Sequence, residues 1–283
     1  MRMHMTRVMT SSWSLHRTLG QSMYQWPDPQ GAPVLQGSGQ GDLTLLELPA
    51  QLAARGIGML EVCHFHFPQL DDGYIGELRQ ALADSGVELF SILIDAGDIT
   101  HPDAARRTEE VAWIRTWMEI AARCGARCVR VIAGDAEPVN SGDWHDIEAV
   151  QLSAGHLREL AGVGRDVGLE VLTENFRAMG SKAGALNAIL DQCEGEVGLC
   201  ADFGNYKGAD KYDELAAILP RATSVHAKAD FPGLLQMDRE DFTRCLDLAK
   251  EAKFTGPYSL IFSSPGDEWE GVEQTRQAVV EWL

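Results

Sequence analysis

The chain has 283 residues, 45% of them hydrophobic, with 42 acidic against 24 basic side chains and a formal net charge of −18. That balance excludes the clustered Lys and Arg that phosphate neutralisation on a nucleic acid needs. No apolar run approaches the roughly 20 residues of a membrane span, and the length suits one large core better than two small ones.

In chain order, Arg7–Ser12 reads as a short first strand, followed by Trp13, Ser14 and His16. The segment 20–42 is rich in Gly, Gln and Pro and reads as an irregular insertion, a lid, an oligomer contact or a plain surface loop. Asp42 is then expected to cap a helix over Leu43–Arg55. Met59–Val62 is the second strand, with Cys63, His64 and His66 beyond it, and Tyr74–Ser85 the next helix. Val87–Ile94 is the third strand, ending at Asp95. Asp103–Cys124 is a long amphipathic helix whose Trp113 and Trp117, four residues apart, pack against the sheet. Arg127–Ile132 is the fourth strand and Trp144–Val167 its helix. Leu169–Thr173 is a fifth, ending abruptly on Glu174 and Asn175. Helix 182–192, strand Val197–Ala201, helix 212–219, strand Thr223–Ala227, helix 239–252, strand Tyr258–Phe262 and helix 268–282 follow.

Eight strand–helix alternations with short turns imply a parallel sheet. Eight units in under 300 residues predict a single-domain α/β protein, a closed (β/α)₈ TIM barrel over 1–283. A doubly wound open sheet is the alternative, but neither GxGxxG nor GxxxxGK[ST] is present. Six cysteines lack paired metal-knuckle spacing and read as small core residues in a reducing cytoplasm. The first ten residues carry no apolar signal-peptide core.

Polar residues at the C-terminal tips of buried parallel strands are where such folds put chemistry. Glu174, Asp202 and His226 end three consecutive strands, one unit apart, and would converge on one face of a barrel. Two carboxylates and an imidazole suit Mn²⁺, Mg²⁺, Co²⁺ or Zn²⁺ better than a soft metal. Arg130 alternates with Val129 and Val131, so it is expected to point inward and pair with a strand-end carboxylate. His16, His64, His66 and Asn175 are candidate substrate contacts, and Lys228 follows the seventh strand.

The segments GIGMLEVCHFHFP, GVELFSILIDAGDI, RVIAGDAEP, VLTENFRAMGS, GLCADFGNYKG, SVHAKADFPG and FTGPYSLIFSSPGDEWEGV resemble the xylose isomerase-like TIM-barrel superfamily of sugar isomerases and epimerases. The resemblance implies a divalent metal held by Glu174, Asp202 and His226, with Lys228 facing substrate. It also implies a fourth carboxylate ligand after the eighth strand, serving as a second base. That position falls on Phe262, with Asp267 or Glu268 as possible replacements. The expected activity is therefore metal-dependent isomerisation, epimerisation or elimination next to a carbonyl of a small sugar or polyol. Glu174 is the base, and a homo-oligomer is a further expectation. The alternatives are a degenerate, non-catalytic barrel binding a carbohydrate-like ligand, and an endonuclease-type phosphodiesterase, which the acidic charge disfavours.

Overall fold

The computed structural model describes residues 7–20, 22–25, 34–38, 41–139 and 142–283. Its strands are β1 (Val8–Ser11), β2 (Ser22–Gln25), β3 (Val34–Ser38), β4 (Met59–Cys63), β5 (Glu88–Ile94), β6 (Cys128–Val131), β7 (Glu170–Glu174), β8 (Val197–Asp202), β9 (Ala222–Lys228) and β10 (Tyr258–Ile261). Its helices are α1 (His16–Leu19), α2 (Leu48–Ala54), α3 (Asp72–Ser85), α4 (Ala104–Cys124), α5 (Glu148–Val167), α6 (Ala183–Gln192), α7 (Lys211–Ile218), α8 (Arg239–Glu251) and α9 (Glu268–Trp282). Eight strands close a barrel in the order β1-β10-β9-β8-β7-β6-β5-β4, every neighbouring pair parallel. No described helix is long and apolar enough to cross a membrane.

Two local expectations change. Asp42 does not start the first long helix. Thr44 and Glu47 form a reciprocal box instead: Thr44 N and Oγ1 donate to Glu47 Oε2 at 2.9 and 2.7 Å, and Glu47 N donates to Thr44 Oγ1 at 3.3 Å. That arrangement satisfies orphan amides at a helix entry, and α2 begins only at Leu48. The segment 20–42 is not irregular throughout, because β2 and β3 pair antiparallel within it. Strand β2 runs beside the turn at residues 64–66, next to the barrel mouth.

The barrel interior is layered by the two-residue period of a strand. Met9, Met59, Phe90, Cys128 and Leu172 form an apolar plug at its lower end. Two residues further along four of those strands come Ser11, Glu61, Arg130 and Glu174, all buried. Each of these four strands thus carries one apolar residue that closes the barrel and one polar residue above it: Ser11, Arg130 and Glu174 line the upper cavity, and Glu61 lies against His226. The residues between them point outward into the strand–helix core, which holds Trp113 and Trp117 with no exposed surface.

The same parity corrects the expectation for the eighth strand. In the β9–β10 ladder Ser259 lies level with His226 and Ile261 level with Lys228. Ile261 faces the cavity. Phe262 faces outward: its ring lies 5.0 Å from that of Phe231, and a Cβ on Gly271 of α9 would come within 2.3 Å of it. Ile261, not Phe262, therefore occupies the inward strand-eight position, and Phe262 is a wedge between β10 and α9. Phe262→Glu is expected to bury an unpaired carboxylate against that helix. It should cost about 3 kcal/mol or more in chemical denaturation and leave metal affinity unchanged. A stable variant with tighter metal binding would contradict this placement.

Candidate metal and substrate site

The upper cavity holds about 280 Å³. Trp13, Phe65, Leu93, Phe176 and Ile261 give it apolar walls, and Asp95, Arg130, Glu174, Asp202, His226 and Lys228 give it charge. Strand register explains the grouping. Glu174 pairs with Cys200 across β7 and β8, and Asp202 pairs with His226 across β8 and β9. Cys200 and Asp202 lie two residues apart and so share the inner face of β8.

His226 is the centre of the group. Its Nε2 meets Glu61 Oε2 at 3.1 Å. Its Nδ1 faces Glu174 Oε1 at 3.4 Å and Asp202 Oδ2 at 3.5 Å. A carboxylate on one ring nitrogen fixes the proton there and leaves the other nitrogen as a ligand. Metal bonds of about 2.1 Å place neighbouring donors roughly 3.0–3.4 Å apart. Glu174 and Asp202 each stand near that spacing from Nδ1. Among the described residues the group whose donor atoms all lie within 4.8 Å of one another is Glu174, Cys200 and His226, a carboxylate, thiol and imidazole set that fits a divalent cation. Asp202 lies outside that group and touches it at His226 Nδ1.

Charge bookkeeping supports the same fit. Four carboxylates (Glu61, Asp95, Glu174 and Asp202) face two fixed cations, Arg130 and Lys228. Arg177 adds a third, more exposed guanidinium beside Asp95, so the carboxylates outnumber the cations by one. A bound cation would offset that excess; without one, it falls on His226. Burial resists a charge on that ring, but the Cys200, Glu174 and Glu61 groups and the Asp202 contact raise its proton affinity well above the ordinary histidine value. Burial also opposes ionisation of Asp202, yet Lys228 and His226 hold its carboxyl below the usual range. Asp202 Oδ1 accepts from Gly204 N at 2.6 Å, which leaves Oδ2 toward His226.

Arg130 points inward as expected and joins two strand tips. Nη2 donates to Asp95 Oδ1 at 2.5 Å, and Nε lies 2.9 Å from Glu174 Oε2. The Nε contact is an ion pair without hydrogen-bond alignment, since neither Nε nor Nη1 has an aligned acceptor. The guanidinium also lies 5.6 Å from the Phe176 ring. Asn205 Nδ2 donates to Glu174 Oε1 at 3.0 Å, so both oxygens of Glu174 are held. Lys228 lines the cavity with its stem against Gly204, where a Cβ would approach to 2.8 Å.

Four expected substrate contacts are placed otherwise. Asn175 clamps the backbone of Asp202, accepting from its N at 2.6 Å and donating to its O at 3.0 Å, and so extends the β7–β8 ladder. His64 is buried edge-on to Trp113 and Trp117, and its Nδ1 accepts from Asp95 N at 3.2 Å. His66 is buried too. Ser12 Oγ accepts from Cys63 N at 2.9 Å and pairs with His66 Nδ1, 2.7 Å away. Burial and the nearby His16 lower the His66 pKa to about 3, keeping the ring neutral. His16 stacks on Trp13 at 4.5 Å and contacts Glu268 Oε1 at 3.3 Å, outside the cavity lining. Glu268 is not a second base either, because it accepts from Arg17 N, Thr18 N and Thr18 Oγ1. Asp267 caps α9 through Glu270 N.

Glu61, Cys200, Asp95 and Asn205 were missed as site residues. Glu61 carried a signal: it is the one charge in the run Met59–Cys63, as Arg130 is in its own strand. Arg130→Met should leave Glu174 and Asp95 buried without their cation and cost about 3–5 kcal/mol in thermal or denaturant unfolding. A loss under 1 kcal/mol would show that the pair does not hold the two strand tips.

A family model described as xylose isomerase-like TIM barrel matches residues 49–283. No curated protein matches the sequence. Among solved structures, a xylose isomerase-like TIM barrel protein from Mycobacterium smegmatis in complex with magnesium aligns at TM-score 0.69 and 19% identity, covering 99% of this chain and 97% of that one. A D-psicose 3-epimerase in the presence of D-fructose aligns at TM-score 0.62 and 15% identity, covering 84% and 92%. The probable 3-DHS dehydratase AsbF of petrobactin synthesis from Bacillus anthracis aligns at TM-score 0.67 and 12% identity, covering 96% and 98%. At these identities the structural neighbours establish the fold alone, while the sequence model spans more than half of the chain: this protein belongs to the xylose isomerase-like TIM barrel family.

Proposed function

We propose that the protein is a divalent-metal-dependent isomerase or lyase that moves a proton on the carbon next to a carbonyl of a small sugar or polyol. The observation that carries this reading is His226, held at Nε2 by Glu61 and presenting Nδ1 to Glu174 and Asp202. A bound Mn²⁺, Mg²⁺, Co²⁺ or Zn²⁺ would polarise the carbonyl and stabilise the enediolate oxygen. Glu174, Asp202 and His226 would hold it. Structural neighbours named as a magnesium complex, an epimerase and a dehydratase are consistent with that chemistry.

The chain's own residues divide the remaining work. Glu174 takes the proton from carbon, and Arg130 and Asn205 fix its carboxylate. Lys228, beside Asp202, donates to a substrate oxygen. Trp13, Phe65 and Phe176 exclude water and offer apolar faces to the C–H side of a polyol. Ile261 offers no second base. Abstraction on one face and return on the other therefore lacks its partner, which favours one-base isomerisation or elimination over two-base epimerisation. The six cysteines are all unpaired, which suits a reducing compartment such as the cytoplasm.

The test uses protein loaded in parallel with Zn²⁺ and with Mn²⁺ and a panel of ketohexoses in D₂O, read by NMR. The reading predicts deuterium at the carbon beside the carbonyl without build-up of the C3 epimer. Glu174→Gln should slow that exchange by about 10²–10⁴-fold. Fast C3 epimerisation would overturn the one-base assignment, and absence of exchange with every ketohexose would overturn the sugar reading.

A further inference from the structure

The barrel's upper layer lacks one hard ligand and contains one soft one. Ile261 stands where a strand-eight carboxylate would complete the shell. Cys200 is buried on the inner face of β8, level with Glu174 in the ladder and two residues before Asp202. Its sulfur already lies within 4.8 Å of donor atoms of both Glu174 and His226. It does not line the open cavity and sits in the layer of Glu174, above the plug. The carboxylate on His226 Nε2 orients the ring so that Nδ1 faces the same cluster.

We infer that Cys200 is a ligand of the metal in this site, replacing the absent hard ligand, and that the centre consequently favours thiophilic divalent ions such as Zn²⁺, Co²⁺ or Cd²⁺ over Mg²⁺ and Mn²⁺. The inference rests on the metal reading above and sharpens its choice of ion. Binding forms one metal–sulfur bond, and the thiol proton leaves to solvent. A thiolate selects softer ions, whereas an all-oxygen and imidazole shell accepts harder ones.

The experiment titrates Co²⁺ into the purified full chain and records the absorption spectrum. Thiolate coordination gives a near-ultraviolet charge-transfer band beside the visible cobalt bands. The inference predicts that band in the native protein, its loss in Cys200→Ser, and its retention in Cys63→Ser, which alters the other cysteine near the cavity. Competition of Cd²⁺ against Mn²⁺ should lose about ten-fold or more of its preference for Cd²⁺ in Cys200→Ser. Visible cobalt bands without the near-ultraviolet band in the native protein would overturn the Cys200 assignment and leave the metal site standing. A band that survives Cys200→Ser would overturn it equally. Absence of any cobalt binding would overturn both readings. The native spectrum alone decides if Cys200→Ser fails to fold, and Cys200→Ala serves as the second variant.

Discussion

The contact between Glu61 and His226 governs the top of the barrel. A carboxylate with almost no exposure is stable only against a donor, and His226 Nε2 is that donor at 3.1 Å. Once the proton sits on Nε2, Nδ1 must face two more carboxylates. A neutral imidazole presents a lone pair to them, which repels. Only a cation between them, or a proton on the ring, resolves the conflict. The charge deficit and the donor geometry therefore have one origin, in a glutamate placed in the middle of an otherwise apolar strand.

The neighbouring charges extend that constraint. Arg130 reaches from β6 to the tips of β5 and β7 and ties Asp95 to Glu174. The turn after β7 is tied to the same place. Arg177 holds a left-handed backbone at φ 58° and donates from Nη2 to Asp95 O at 2.9 Å. A non-glycine residue there costs of order 1 kcal/mol, which the surrounding contacts must offset. The strained turn places Phe176 on the cavity wall, with the Arg130 and Arg177 guanidinium groups each 5.6 Å from its ring.

Much of this was legible in the sequence because barrels write their layers in period two. Apolar runs ending on Glu174, Asp202 and His226 gave both the strands and the tips, and Arg130 betrayed its inward direction by alternation. The errors came where a single residue of register decides the face. Phe262 and Ile261 are adjacent, and only the pairing of Ile261 with Lys228 separates inward from outward. Local hydrogen bonding decided others. Asn175 looked like a tip residue reaching for substrate, but an amide can copy a backbone pair, and it does so on Asp202. His64 and His66 lie past a strand end, yet the chain turns them down into Trp113, Trp117 and Ser12. Cys200 hid as a small core residue, which its burial alone would support.

The central claim is that His226 Nδ1, with Glu174 and Asp202, receives a divalent ion while Nε2 remains on Glu61. Anomalous diffraction from crystals grown with saturating Zn²⁺ tests it most directly. The account predicts one strong peak about 2.0–2.2 Å from His226 Nδ1 and within bonding distance of Glu174, with the Glu61 contact intact. A peak on Nε2, a peak remote from β7, β8 and β9, or no peak there in a crystal soaked to saturation would contradict it.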